Sequence, residues 1–134
     1  MIEQGTTYQH PFSFSQTEVE QFAAVTGDKN PIHIDKEYAA KTIFKQPIMH
    51  GFLGGSVFSK IFGTLFPGEG TIYLKQTMEF KKPMLADEKY EAVCTAIAVD
   101  KEKHKATMET KIIHIASQQV VLIGEAIVMN KEKI

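Results

Sequence analysis

Ile48-Met49-His50-Gly51-Phe52-Leu53-Gly54-Gly55-Ser56-Val57-Phe58-Ser59-Lys60-Ile61-Phe62-Gly63-Thr64-Leu65-Phe66 is the stretch on which the fold turns. Its apolar residues leave almost no polar face, and a helix that is apolar all round is either buried in a core or set in a membrane. A span normally needs ~20 apolar residues. Here Ser56, Ser59, Lys60 and four glycines interrupt the run, and no second such segment exists. The reading is a central buried helix that starts near His50 or Gly51 and is ended by Pro67-Gly68.

Downstream of Gly70 the period changes to that of antiparallel sheet. Ile72, Leu74, Met78 and Phe80 alternate with Tyr73, Lys75, Thr77 and Glu79, with Gln76 the exception on the apolar side. Further strands fit Tyr90 to Val99, Lys105 to Ile115 and Val120 to Met129. In the last, Val120-Val121-Leu122-Ile123 is apolar on both faces, which suits a strand covered on both sides. Upstream, residues 6 to 14 read as a short strand. Ser15 and Glu18 form a capping-box pair, Val19, Phe22, Ala23 and Thr26 recur at helical spacing, and Gly27 suits a helix C-terminus. Asp35 can cap a second short helix through about Lys41. Helices early and strands late predict an α+β chain, one domain over residues 1–134, with about five strands wrapped around the greasy helix.

Composition narrows the function. Fifteen basic residues nearly cancel sixteen acidic ones, so no global field draws the chain to nucleic acid or anionic lipid. All fifteen are Lys, so a ligand phosphate is met by ammonium groups or backbone N–H rather than by the Arg fork. The single cysteine, Cys94, lies in a strand-like run and reads as a packed, inert thiol. With no basic, apolar leader at the N-terminus, a reducing cytoplasm is expected.

The chemistry concentrates at Gly27-Asp28-Lys29-Asn30-Pro31-Ile32-His33. Asp28 and His33 lie five residues apart around Asn30-Pro31, where proline holds Asn30 extended and bends the path. A carboxylate, an imidazole and an amide brought to one water form a general acid/base set. On spacing alone, the same residues also read as an ordinary loop with a surface histidine. The second cluster is Pro47-Ile48-Met49-His50-Gly51. The first N–H groups of a helix beginning there lack helical partners and can meet a ligand oxygen. Gly51 lets that oxygen approach, although close helix–sheet packing explains the glycines equally well. His50 is given no catalytic role. A metal site from Asp28, His33, Asp35 and His50 has no recognisable ligand spacing, and none is expected.

Together the two clusters resemble the hydratase motif of the MaoC-like, (R)-specific enoyl-CoA hydratases, and the resemblance extends over nearly the whole chain, including Phe80-Lys81-Lys82-Pro83. It implies a hotdog fold, in which a curved antiparallel sheet wraps a long helix, preceded by a short two-helix overhang. It implies reversible addition of water to trans-2-enoyl-CoA, with Asp28 taking the water's proton, His33 assisting and Asn30 positioning the water. The Gly51 N–H would bind the thioester oxygen. Ser59 would hydrogen-bond the catalytic groups, and Phe62 would line the acyl tunnel and restrict it to short chains. Lys81 and Lys82 would meet CoA phosphates. Coenzyme A is then part of the substrate and no separate cofactor is implied, while the working unit would be a homodimer. A dehydratase acting on acyl-carrier-protein thioesters, a hotdog thioesterase and a non-catalytic acyl-CoA binding module remain as alternatives.

Overall fold

The computed structural model describes residues 1–134. Its order is β1 (Thr7–Phe12), α1 (Gln16–Thr26), α2 (Pro31–Ile34), α3 (Lys36–Ala40), α4 (Gly51–Lys60), β2 (Ile72–Gln76), β3 (Glu79–Phe80), β4 (Tyr90–Asp100), β5 (Lys105–His114) and β6 (Gln119–Met129). Residues Ile61–Leu65 continue α4 as a π-helical turn, closed by a 2.7 Å bond from the Phe66 N–H to the Ile61 carbonyl.

All strand pairs are antiparallel, in one sheet of order β1-β4-β5-β6-β2, with β3 also on β6. The sheet buries one face around α4, from which Leu53, Val57 and Phe58 enter the core with Ile61 and Phe62 of the following turn. Full burial of a side chain such as Phe58 contributes ~1.5–3 kcal/mol relative to leaving it in water. Opposite it, β4 buries Tyr90, Ala92, Cys94 and Ala96 at a period of two. Cys94 is fully buried, and desolvation pushes its thiol up to about 12, so it is the inert packed group expected. No helix is long and apolar enough to cross a membrane.

Three local expectations need correction. The chain before α4 holds three helices rather than two, because Asn30 and Pro31 open a helical turn of their own. Pro31 takes the first helical position, where its missing N–H costs nothing, and the Asn30 side chain accepts from the Ile32 N–H at 3.3 Å. The expected single strand over 72–80 is two strands, which raises the count to six. The Thr77 hydroxyl accepts from the Glu125 N–H at 3.0 Å and interrupts the ladder there, while Met78 turns in against α4. Finally, Ile72, Leu74 and Phe80 of the predicted apolar face are 51%, 46% and 49% exposed.

On β6, a register shift opposite Ile112/Ile113 puts the neighbours Val121 and Leu122 both in the core. The Val121 carbonyl accepts from the N–H groups of both Lys81 (2.8 Å) and Lys82 (3.3 Å), so the bulge holds the segment after β3.

Candidate active site

The loop that carries Asp28 is built from local hydrogen bonds. Ser15 caps α1 with the expected capping box, and Gly27 ends it at φ 80°, a left-handed conformation that favours glycine. The Asp28 N–H donates to the Thr26 hydroxyl at 3.1 Å, and the Asn30 N–H donates to the Asp28 carboxylate at 3.3 Å. With its carbonyl oxygen capping α2, Asn30 has its side-chain NH2 left to donate. Both residues are exposed.

His33, in the last position but one of α2, is 9% exposed. Its Nδ1 lies 2.8 Å from the Ile48 carbonyl. A carbonyl only accepts, so Nδ1 carries the proton and Nε2 keeps its lone pair. Desolvation by burial lowers the His33 pKa from 6.5, and the neighbouring His50 adds to that, while the Ile48 hydrogen bond and the Asp28 charge oppose it. The group is therefore a neutral imidazole with an open basic nitrogen.

Gly51 is the first residue of α4, and its N–H has no partner within the protein. A Cβ at this position would lie 2.6 Å from the Phe80 ring, so glycine is what allows that ring to lie over the helix start. A cleft of about 440 Å³ is lined by His33, Gly51, Phe44, Phe52, Phe80, Lys81 and Lys82, among others. A second, of about 340 Å³, is lined by Asp28, His33, His50 and Gly51 with Phe22, Thr26 and Phe52. His33, Gly51 and Phe52 belong to both. Lys81 is paired with Glu79 at 2.9 Å, whereas Lys82 has no acidic partner.

The structure thus brings Asp28, His33, Gly51, Lys81 and Lys82 to two adjoining clefts, with Asn30 hydrogen-bonded to Asp28. It does not bring Ser59 or Phe62 there. Ser59 is exposed, eight residues along the helix from Gly51, a rise of ~12 Å, and makes no hydrogen bond to Asp28 or His33. Phe62 is fully buried, edge-on to Tyr73 at 5.2 Å, and borders neither cleft. His50, to which the sequence reading gives no catalytic role, packs directly against His33. His50 is 2% exposed, and its ring is stacked on His33 with centroids 3.9 Å apart. The signal was a histidine inside an otherwise apolar run, at the start of a buried helix. Donor atoms of Asp28, His33 and His50 lie within 4.8 Å of one another, which makes them the set that could reach a single ion.

Comparison with known proteins bears on the family and the fold. The model of the MaoC like domain matches residues 1–130. The chain is 39% identical over 115 residues to an (R)-specific enoyl-CoA hydratase of Aeromonas caviae, covering 86% of this chain and 85% of the relative. Against an enzyme of the same name from Rhodospirillum rubrum it is 34% identical over 128 residues, covering 96% and 88%. The solved (R)-hydratase from A. caviae involved in PHA biosynthesis superposes with a TM-score of 0.92 at 36% identity, covering 96% of this chain and 97% of that one. A hydratase-type motif set on a six-stranded sheet around α4, with these relatives along nearly its full length, places the chain in the MaoC-like domain family.

Proposed function

We propose that the protein reversibly adds water to trans-2-enoyl-CoA, giving (R)-3-hydroxyacyl-CoA, with short acyl chains preferred. The observation that carries the reading is one cleft lined by the Asp28 carboxylate, by His33 with its Nε2 uncommitted, and by Gly51 with its N–H unpaired. Donor atoms within 4.8 Å can share one water, since two hydrogen bonds of ~2.8 Å reach that far. In this scheme Asp28 takes a proton from the water, whose second hydrogen is held by His33 Nε2 and whose oxygen is steadied by the Asn30 amide. The oxygen bonds to the β-carbon, and the electron pair of the double bond moves to the thioester, where the Gly51 N–H meets the enolate oxygen. The proton then passes from Asp28 to the α-carbon on the same face. The bookkeeping is complete without a separate cofactor, because coenzyme A belongs to the substrate. Lys82, free of acidic partners, is the better-placed cation for a CoA phosphate, with Lys81 beside it.

The test follows the loss of enoyl-thioester absorbance with crotonyl-CoA. Turnover only with carrier-protein thioesters supports the acyl-carrier dehydratase instead, and release of free thiol from a saturated acyl-CoA supports a thioesterase.

The pH dependence has a definite sign. Burial holds His33 below 6.5, so it is neutral at pH 7 and above and becomes protonated only on the acid side. The kcat/KM for hydration is expected to be level on the neutral side and to fall with acidification, with a midpoint below 6.5. A midpoint above that value contradicts the scheme.

Acyl length bears on Phe62 in this scheme: its buried ring packs edge-on against Tyr73 of β2, so a smaller side chain there would open room beyond the clefts for a longer acyl chain. Phe62→Val is expected to raise the ratio of octenoyl-CoA to crotonyl-CoA turnover by ~10-fold, the scale of a few methylenes in an apolar pocket. An unchanged ratio in a folded variant removes the tunnel assignment.

The proposed working unit is a homodimer. β2 is an open sheet edge, and Phe52, Ile72, Leu74 and Phe80 are exposed on its side of the molecule. Leu74→Lys is expected to shift the sedimenting species from dimer to monomer, and a monomeric wild type overturns the assignment.

A further inference from the structure

His50 is a polar residue in an apolar setting, and the hydratase scheme above gives it no part. Its ring lies between His33, stacked at 3.9 Å, and Phe22, tilted at 4.8 Å. Nε2 lies 3.0 Å from the Asp28 carbonyl. Because a carbonyl only accepts, Nε2 carries the proton and donates it. Nδ1 is buried with no hydrogen-bond partner. A buried nitrogen without a partner loses its hydration and gains nothing in return, so an apolar ring would suit packing better than this one does.

The Asp28 loop makes the value of that donor plain. Every other hydrogen bond made by residues 27–30 stays within residues 23–33. The bond from His50 is the one that reaches the loop from elsewhere in the chain, 22 residues away. The same residue is the N-cap of α4, with its carbonyl accepting from Leu53 (3.1 Å) and Gly54 (3.3 Å), and it directly precedes Gly51. A single side chain thereby joins the backbone of the Asp28 loop to the helix start that carries the Gly51 N–H.

From this geometry we infer that His50 is a positioning residue, whose Nε2–H tethers the Asp28 backbone and so keeps the carboxylate within reach of the His33 imidazole. The inference rests on the proposed hydratase reading. It assigns His50 no contact with substrate; its effect passes through Asp28.

Two replacements separate the tether from the packing. His50→Phe keeps a ring on His33 and removes the donor. His50→Gln keeps a donor at the position of Nε2 and removes the ring. With crotonyl-CoA, His50→Phe is expected to lower kcat by ~10–10²-fold with KM within about threefold, because misplacement of a reacting group by ~1 Å costs rate on that scale. His50→Gln is expected to recover most of that loss. In an Asp28→Asn background, His50→Phe should cost less than about twofold more, since the two residues act as one unit. A merely structural role predicts the opposite pattern: equal losses on both backgrounds, following the fall in Tm, with no rescue by Gln.

One measurement stands apart from turnover. In the wild type, the His50 Nε2–H is expected as a slowly exchanging imidazole signal in a 1H–15N spectrum, assigned by its loss in His50→Phe. If the wild type fails to hydrate enoyl-CoA while that signal is present, the hydratase reading falls and the tether stands. Lack of the signal, or full kcat in His50→Phe, overturns the tether.

Discussion

Asp28→Asn and His33→Ala are each expected to lower the rate of crotonyl-CoA hydration by ~10²–10⁴-fold, the usual contribution of a positioned acid or base. The two losses have different origins. Asn at 28 keeps the side-chain oxygen that accepts from the Asn30 N–H, so the loop geometry survives while the proton acceptor is gone. Ala at 33 removes the open Nε2 and also the Nδ1–H bond to Ile48. Stability should therefore change little in the first variant and somewhat in the second, which breaks a part-buried hydrogen bond worth ~1 kcal/mol. Circular dichroism and Tm separate loss of chemistry from loss of fold. The double variant is expected to be hardly slower than the worse single one, because both groups serve one water. Fully additive losses, or a folded Asp28→Asn protein within about tenfold of wild-type rate, contradict the scheme.

The largest structural effect is expected at Gly124, far from any reacting atom. A Cβ there would stand 1.8 Å from the Thr77 carbonyl oxygen and 2.7 Å from its carbon. Both contacts are with backbone, so no side chain can swing aside. Gly124→Ala must part β6 from the 77–78 crossing, where the Thr77 N–H donates to Glu125 at 2.8 Å and the Glu125 N–H donates back to the Thr77 hydroxyl at 3.0 Å. Overpacking of this kind costs ~3 kcal/mol or more, which corresponds to a fall in Tm of about 10 °C. Thermal unfolding decides it, and an unchanged Tm would show that the crossing is looser than described.

The elements that were legible in the sequence are those whose signals are local. Ser15 and Glu18 cap α1 as their spacing requires, Gly27 ends it, and Asp35 caps α3 through the Tyr38 N–H at 3.0 Å. The bounds of β4, β5 and β6 follow the strand-like runs to within a residue. What could not be read depends on partners distant in the chain. Nothing local in residues 72–80 reveals that Glu125 will claim Thr77, or that part of the strand's apolar face stays open on the protomer. The Asp28–His33 pair was visible only as a spacing that an ordinary loop would also satisfy, until the resemblance singled it out. Its tautomer depends on the Ile48 carbonyl, and His50 enters through bonds and stacking that join residues 17 and 22 positions apart.

The bulge on β6 has a practical meaning for anyone varying this protein. Because one carbonyl, that of Val121, anchors the amides of both Lys81 and Lys82, a core strand sets the course of the backbone that carries two exposed lysines. Under the proposed role of these lysines toward CoA phosphates, substitutions near Val121 are expected to surface in an assay as a raised KM for the CoA thioester, although the altered side chain is buried.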